Sequence, residues 1–317
     1  MVAFGLATIL QGQVPGPALI VDGRVVPLSG WASLADVLED WDAALPRCEA
    51  AAAAADLANA PLLDSVGILA PYLPRQIFCA GANYRKHVIG LIMGDPSMRR
   101  EEQDGLSDDE RRAQAEARMD SRAKDGAPYM FIKLPSCVVG PRDTVILPNN
   151  VAKPDWELEL GVVIGKRARH VTAADAMDHV AGFVVVNDVT ARDHVFRRDQ
   201  PALGADWLSG KCFPTFLPFG PMIVPRQFVA DPYALTITLS VNGKVYQDES
   251  TADMMINIER QIAYLSDRVE LLPGDLICTG SPYGNGSAFG ISLQDGDMME
   301  GTITGLGTQR NPCRAEA

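Results

Sequence analysis

Acidic side chains in two apolar segments are the residues of this sequence best suited to chemistry. Glu157 and Glu159 stand two apart at the start of an apolar run, so in a strand both side chains point to one face. Asp188 follows a second apolar run, residues 183–186, about thirty residues later. Neighbouring carboxylates repel each other, and their burial requires water, a cationic partner or a metal. The simpler alternative is a strand with one solvated acidic face.

Three carboxylates at the ends of two strands would form the set of oxygen ligands that hard divalent cations prefer. This set predicts Mg²⁺ or Mn²⁺ as the cofactor, with Ca²⁺ as a substitute. Because Mg²⁺ leaves several coordination positions to water or substrate, such a site can act as a Lewis acid toward an oxyanion.

Four motifs, two of which contain these acids, stand in order along the chain. They are Asn-Tyr-Arg-Lys-His at residues 83–87, Glu-Leu-Glu-Leu-Gly-Val-Val-Ile-Gly at 157–165, Asn-Asp-Val-Thr-Ala-Arg-Asp at 187–193 and Pro-Gly-Asp-Leu-Ile-Cys-Thr-Gly-Ser-Pro-Tyr-Gly at 273–284. Together they resemble the fumarylacetoacetate hydrolase (FAH) superfamily, in particular its acylpyruvases, from about residue 75 to residue 306. The resemblance implies that the metal ligands are Glu157, Glu159 and Asp188.

Long β-rich runs separated by glycine and proline predict an α+β, β-rich fold, whose strands would position these residues. The resemblance implies, more specifically, a mixed β-sandwich or β-roll with peripheral helices and a small N-terminal domain. We assign residues 1–72 to this N-terminal domain, where Asp22-Gly23 predicts the turn of a β-hairpin. Residues 73–317 are assigned to the catalytic domain.

The composition is that of a globular protein and argues against several classes of partner. The chain has 317 residues, and its net charge of −12 argues against nucleic acid and anionic membrane as partners. No apolar segment approaches the ~20 residues that span a bilayer, and the N-terminus lacks the basic start of a secretory signal. The six cysteines form no Cys-x-x-Cys pair, which favours a cytoplasmic location.

His87 is the predicted catalytic base, although a lone histidine at the start of a helix is more commonly a surface or cap residue. It follows a short apolar strand, residues 77–82. The resemblance implies that this histidine activates water together with a glutamate three positions later. This chain has Gly90 at that position, so the sequence departs from the family pattern there.

A charged insertion at about residues 94–126 is the predicted lid over the metal site. A lid in this place could supply the acid that position 90 lacks, and Glu101 or Glu102 is the candidate. The alternative is a solvated surface helix, which a capping box at residues 107–110 would begin.

Lysines and backbone donors on other segments are predicted to hold the substrate. Lys211 lies in Gly-Lys-Cys-Phe-Pro-Thr-Phe, residues 210–216, which resembles a family motif, and we predict that it binds a carboxylate or stabilises an oxyanion. Lys133 is predicted to lie near the pocket, the alternative being a lysine that faces solvent from a strand. The residues assigned to substrate binding are Tyr84, Lys133, Arg192, Thr279 and Gly280.

The resemblance implies hydrolysis of a carbon–carbon bond in a 2,4-dioxo acid such as an acylpyruvate. Water activated by His87 would attack C4, and cleavage through a metal-bound enolate would release a 2-oxo acid and a carboxylic acid. Gly90 leaves open a decarboxylase, a hydratase or an isomerase of the same superfamily. A protein that binds a metal or a 2-oxo acid without turnover is a further alternative. A small-molecule 2-oxo acid is the predicted partner, and the resemblance implies a homodimer.

Overall fold

The computed structural model describes residues 1–94, 105–197 and 199–317 of the chain. Glu101 and Glu102, the candidate replacement acids of the predicted lid, lie outside the described residues.

The described residues form short strands and helices. The strands are β1 (Gly5–Gln11), β2 (Val14–Val21), β3 (Arg24–Pro27), β4 (Ile68–Leu69), β5 (Ile77–Gly81), β6 (Tyr129–Lys133), β7 (Val138–Val139), β8 (Val145–Leu147), β9 (Pro154–Asp155), β10 (Leu158–Ile164), β11 (Val180–Asn187), β12 (Thr190–Ala191), β13 (Leu217–Pro218), β14 (Val224–Pro225), β15 (Thr236–Val241), β16 (Lys244–Ser250), β17 (Leu276–Cys278), β18 (Met298–Ile303) and β19 (Gly307–Ala315). The α-helices are α1 (Leu34–Glu39), α2 (Trp41–Ala53), α3 (Arg85–Gly94), α4 (Asp108–Asp125), α5 (Arg192–Val195), α6 (Trp207–Lys211) and α7 (Ile258–Ser266). Short 3-10 helices lie at Leu63–Ser65, Pro135–Cys137, Ala176–His179, Pro201–Leu203, Arg226–Phe228, Thr251–Asp253 and Gly286–Phe289.

The N-terminal part forms a four-stranded sheet in the order β3-β2-β1-β4. The predicted hairpin is confirmed, because β2 and β3 pair in antiparallel fashion around Asp22 and Gly23, whose φ angles are 48° and 73°. A type I′ turn needs positive φ at both central residues, which Asp-Gly adopts readily. This sheet and the next share one apolar core, in which Leu6 and Leu19 lie in the same cluster as Val163. The domain boundary near residue 72 stays a prediction.

A six-stranded sheet in the order β14-β11-β10-β17-β5-β6 carries the acids. Strand β10 is buried along its whole length, which explains its continuous apolar sequence. It pairs in antiparallel register with β11, so that Leu158 lies opposite Asn187 and Glu159 lies opposite Val186. This register brings the start of β10 and the end of β11 to one edge of the sheet.

A five-stranded sheet in the order β16-β15-β18-β19-β8 packs against the six-stranded one. Leu158 and Leu160 of β10 share a core cluster with Ile237 and Leu239 of β15. The two sheets approach closely at Gly301, where an added Cβ would lie 2.5 Å from Leu158 Cδ1. Together with the helices, these sheets confirm the predicted α+β, β-rich fold.

Helices α3 and α4 form a pair beside the acidic end of the six-stranded sheet. The predicted capping box is confirmed: Ser107 Oγ accepts from the Glu110 N–H at 3.3 Å, and Glu110 Oε2 accepts from the Ser107 N–H at 2.8 Å. Ala115 and Met119 of α4 are buried in a small apolar cluster with α3. The predicted lid motion stays a prediction. In the described part of the chain, no helix combines the length and the apolar character needed to cross a membrane.

Candidate functional site

The three acids predicted to bind a metal converge in the structure. One carboxylate oxygen from each of Glu157, Glu159 and Asp188 lies within 4.8 Å of the other two, and all three residues are buried. The Asp188 N–H donates to the Glu157 carbonyl at 2.8 Å, and Asn187 Oδ1 accepts from the Glu157 N–H at 2.9 Å. Backbone pairing between the start of β10 and the end of β11 therefore sets the spacing of the carboxylates.

Two buried lysines contact the same acids. Lys211 Nζ donates to Asp188 Oδ2 at 2.5 Å and to Glu157 Oε2 at 2.9 Å. Lys133 Nζ donates to Asp188 Oδ1 at 2.6 Å and to the Val189 carbonyl at 2.9 Å. Both lysine side chains are at most 3% exposed, so Lys133 is not a lysine that faces solvent. Each Asp188 carboxylate oxygen therefore has its own ammonium partner.

Arg192 is the third cation of the cluster. Its Nε donates to Asp155 Oδ2 at 2.8 Å, and its second guanidinium nitrogen forms an ion pair with Glu157 Oε1 at 2.5 Å. Burial opposes the ionisation of Glu157, but Arg192 and Lys211 outweigh it and lower the pKa of Glu157 to about 2. Arg192, predicted to bind substrate, is thus in contact with a predicted metal ligand.

Asp155 is a residue of the site that the motif analysis did not single out. Its carboxylate is 1% exposed and accepts from the Gly286 N–H at 2.6 Å and the Ser287 N–H at 3.1 Å, in addition to Arg192. Asp155 therefore connects the loop after β17 to the guanidinium that contacts Glu157. The period of two along a strand places residues 155, 157 and 159 on one face, and this spacing could have indicated it.

Glu159 has a different environment from its neighbours. Within the described residues it forms no ion pair with a lysine, arginine or histidine, and its Oε2 accepts from the Gly280 N–H at 2.8 Å. Burial, together with repulsion from Asp188, raises the pKa of Glu159 well above its ordinary value. A divalent cation fits this set of donors, because it would find three carboxylate oxygens and would stabilise the ionised form of Glu159.

The segment around Gly280 supports this carboxylate through its backbone. Gly280 has φ +105°, and an added Cβ would lie 2.8 Å from Asn83 Cβ, so the close approach requires glycine. Thr279 Oγ1 donates to the Leu160 carbonyl at 2.9 Å. Tyr84 is fully buried, and burial raises the pKa of its hydroxyl. The substrate-binding roles of these residues stay predictions.

His87 lies on α3 beside the acidic cluster and is 8% exposed. Burial lowers the pKa of its imidazole to about 4, although Glu157 acts in the opposite direction. Among the described residues, no side chain or backbone group forms a hydrogen bond with this imidazole. At Gly90, an added Cβ would lie 2.9 Å from Tyr283 Cε2, so the aromatic ring occupies the space beside that position.

Comparison with known proteins decides the family. The family model described as the fumarylacetoacetate (FAA) hydrolase C-terminal domain matches residues 76–314. The chain belongs to the fumarylacetoacetate hydrolase family. This membership confirms the resemblance carried by the four motifs, and the acids, lysines and arginine described above all lie inside the matched region.

Relatives within the FAH family differ in the reactions for which they are named. The 2,4-didehydro-3-deoxy-L-rhamnonate hydrolase of Sphingomonas sp. (strain SKA58) is 34% identical over 306 residues, which cover 95% of this chain and 92% of that protein. The human mitochondrial oxaloacetate tautomerase FAHD2A is 46% identical over 182 residues, and the match covers only 57% of each protein. The solved fumarylacetoacetate hydrolase of Exiguobacterium antarcticum superposes with a TM-score of 0.76 at 28% identity, covering 99% of this chain and 100% of that chain.

Proposed function

We propose that this protein is a divalent-metal-dependent hydrolase that cleaves a carbon–carbon bond of a 2,4-dioxo acid, giving a 2-oxo acid and a carboxylic acid. The observation that carries this proposal is the convergence of Glu157, Glu159 and Asp188 within 4.8 Å, with Glu159 lacking a cationic partner among the described residues. The hydrolase of the Sphingomonas relative is named for a substrate with oxo groups at C2 and C4, which is the same chemical class.

The charge of the cluster supports an anionic substrate. Four carboxylates (155, 157, 159 and 188) face three cations (133, 192 and 211), which leaves one excess negative charge when all groups are ionised. A divalent cation, Mg²⁺ or Mn²⁺, would change this excess to one positive charge. Salt screens charges in a buried site only weakly. The net positive charge of the cluster with its cation would therefore attract the carboxylate of a 2-oxo acid.

The surrounding residues have distinct roles in this proposal. A divalent cation held by the three acids would supply Lewis acidity toward the 2-oxo group. His87 accepts a proton from water, whose oxygen adds to the C4 carbonyl. The C3–C4 bond then breaks, its electrons form the enolate of the 2-oxo product, and the proton returns from His87 to C3. Lys211 and Lys133 stabilise the negative charge that develops on the substrate oxygens.

An enol–keto tautomerase or isomerase is the second candidate, and the contact between Gly90 and Tyr283 favours it. Without a carboxylate at position 90, His87 has no acidic partner there to orient it or to stabilise its protonated form. Proton transfer between C3 and the enol oxygen requires one base and no attacking water. Relatives named oxaloacetate tautomerase share 46% identity with the aligned part of this chain.

One panel of substrates distinguishes these reactions. The protein would be incubated with Mg²⁺ or Mn²⁺ and either an acylpyruvate or the enol form of oxaloacetate, and the products would be identified by NMR. Two acids from the acylpyruvate support the hydrolase, enol loss without cleavage supports the tautomerase, and evolution of CO₂ supports a decarboxylase. Turnover that survives chelation of the metal, or that is unchanged in Glu157→Gln, would contradict the metal-dependent proposal itself.

We also propose a homodimer, which the family resemblance supports, and a cytoplasmic location, which the cysteines support. All six cysteines are free thiols in the structure, which suits a reducing compartment. Light scattering after size-exclusion chromatography tests the dimer, since a mass of 34.1 kDa would instead identify a monomer.

A further inference from the structure

Two cysteines adjoin the segments that carry the lysines of the site. Cys137 ends the 3-10 helix Pro135–Cys137 and follows Lys133 by four positions. Cys212 is the C-cap of α6 and follows Lys211 directly. The described contacts assign neither thiol to the proposed reaction.

The two thiols lie side by side. Cys137 Sγ lies 3.8 Å from the carbonyl oxygen of Lys211, the residue to which Cys212 is bonded, and Cys212 Sγ lies 3.9 Å from the carbonyl oxygen of Ile132. The two thiols are close enough for each to shift the pKa of the other. Cys137 is fully buried, whereas Cys212 is half-buried and therefore accessible to a small oxidant.

We propose that Cys137 and Cys212 are a site of reversible thiol oxidation, at which a peroxide converts the pair to a disulfide. The thiolate of Cys212 attacks one peroxide oxygen, the O–O bond breaks, and the leaving hydroxide takes a proton from solvent, so that a sulfenic acid and one water form. The thiol of Cys137 then attacks the sulfenic sulfur, the S–S bond forms, and a second water leaves with the thiol proton. Two thiols are oxidised by two electrons, and one peroxide is reduced to two waters.

The acidity of the two thiols supports this order of attack. The neighbouring Cys137 thiol lowers the pKa of Cys212 to about 6, against the effect of burial, which favours the thiolate at Cys212. The Cys212 thiol, together with burial, raises the pKa of Cys137. The exposed, acidic thiol therefore reacts first, and the buried thiol resolves the intermediate.

Disulfide formation would affect the lysines. A disulfide requires an S–S distance of roughly 2.0 Å, so the sulfur atoms of these two free cysteines must move closer together. Closing that gap moves the end of α6 toward the segment after β6. Lys211 and Lys133, which share Asp188, lie on these two segments, so oxidation would displace the ammonium groups from the acids.

The test is thiol counting with and without hydrogen peroxide on the purified full-length protein. The wild type should lose two of its six thiols, give one cross-linked peptide containing residues 137 and 212, and recover both thiols with dithiothreitol. Turnover of the 2-oxo acid should fall about tenfold on oxidation and return on reduction.

Cys137→Ser and Cys212→Ser should each retain turnover, form no intramolecular disulfide and lose less activity with peroxide. Cys313→Ser, a buried cysteine on β19, is the matched control and should respond as the wild type does. Six free thiols in the peroxide-treated wild type, or a disulfide that still forms in Cys212→Ser, would overturn the proposal. Thiol counting needs no turnover, so its result is independent of whether the proposed hydrolase activity is correct.

Discussion

The ring of Tyr283 lies against Gly90 so closely that a side chain at position 90 would collide with it, with a Cβ only 2.9 Å from Cε2 and 3.1 Å from Cδ2. A larger residue at position 90 therefore requires the tyrosine ring to move or to be replaced. Because His87 lies one turn earlier on the same helix, this contact determines what can stand beside the predicted base.

Restoring the family glutamate tests the effect of this contact. Gly90→Glu alone should destabilise the protein by about 1–3 kcal/mol, because the added side chain collides with Tyr283. Combined with Tyr283→Ala, the glutamate should fit beside His87 and raise the rate of acylpyruvate hydrolysis relative to enol loss. Chemical denaturation and product analysis measure both effects, with Tyr283→Ala as the control. A double variant with unchanged product ratios would show that the acid at position 90 does not decide the reaction.

Amide substitution of the acids should have opposite effects on the metal-free protein. Glu159→Gln removes a buried acid that has no cationic partner among the described residues, so the metal-free melting temperature should stay equal or rise. Glu157→Gln removes the partner of Arg192 and Lys211, so that temperature should fall.

Both variants should lose the stabilisation that Mg²⁺ gives, and turnover should fall at least about a hundredfold. Differential scanning calorimetry with and without Mg²⁺ measures the first effect. Equal destabilisation of the two metal-free variants would contradict the assignment of Glu159 as the unpaired acid.

Replacement of Lys211 should separate metal binding from turnover. Lys211→Met removes a positive charge that competes with a cation for Glu157 and Asp188, so Mg²⁺ affinity should increase while turnover falls about a hundredfold. Titration calorimetry gives the affinity, and steady-state kinetics gives kcat. Weaker Mg²⁺ binding in this variant would show that the lysine supports the ion and does not compete with it.

The pH dependence of the reaction should reflect the low pKa of His87. In the proposed reaction the neutral imidazole of His87 is the base. Burial lowers its pKa to about 4, so this neutral form persists below the pH at which an ordinary histidine is protonated and is lost as the pH falls through about 4. The acidic limb of kcat/KM should therefore lie near pH 4, and a limb near the ordinary histidine value of ~6.5 would contradict this role. His87→Gln, with the same fold checked by circular dichroism, should lack the limb and most of the activity.

Asp155 should act on metal affinity through Arg192. Asp155→Asn weakens the contact with the guanidinium that holds Glu157, and Mg²⁺ affinity should fall about 10- to 100-fold. Asp193→Asn is a matched control, since Asp193 also accepts two backbone N–H groups, those of Ala152 and Lys153, at 2.9 and 3.0 Å. The two variants should unfold at similar denaturant concentrations, and equal Mg²⁺ affinity in both would rule out the positioning role of Asp155.

Spacing along one strand predicted the pair Glu157 and Glu159, and the family resemblance added Asp188 from a second strand. A period of two puts these glutamates on one face, the four ordered motifs predicted the family, and the β-rich runs separated by glycine and proline predicted the α+β fold. The cations were harder to place because they come from distant segments: Lys133 is 55 residues from Asp188 in sequence, and Lys211 is 23. Sequence predicted a role for each lysine near the substrate, but their ion pairs with the acids depend on tertiary packing of β6 and α6.

The ammonium groups that contact Asp188 have a consequence for how the protein matures. Since the chain carries counter-charges for two of its three clustered acids, it can fold before any ion arrives. For the proposed metal site, we expect the identity of the ion to follow the relative abundance of divalent cations in the cell, because carboxylate sites have modest selectivity. A cell limited in one of these cations could keep the enzyme active with another.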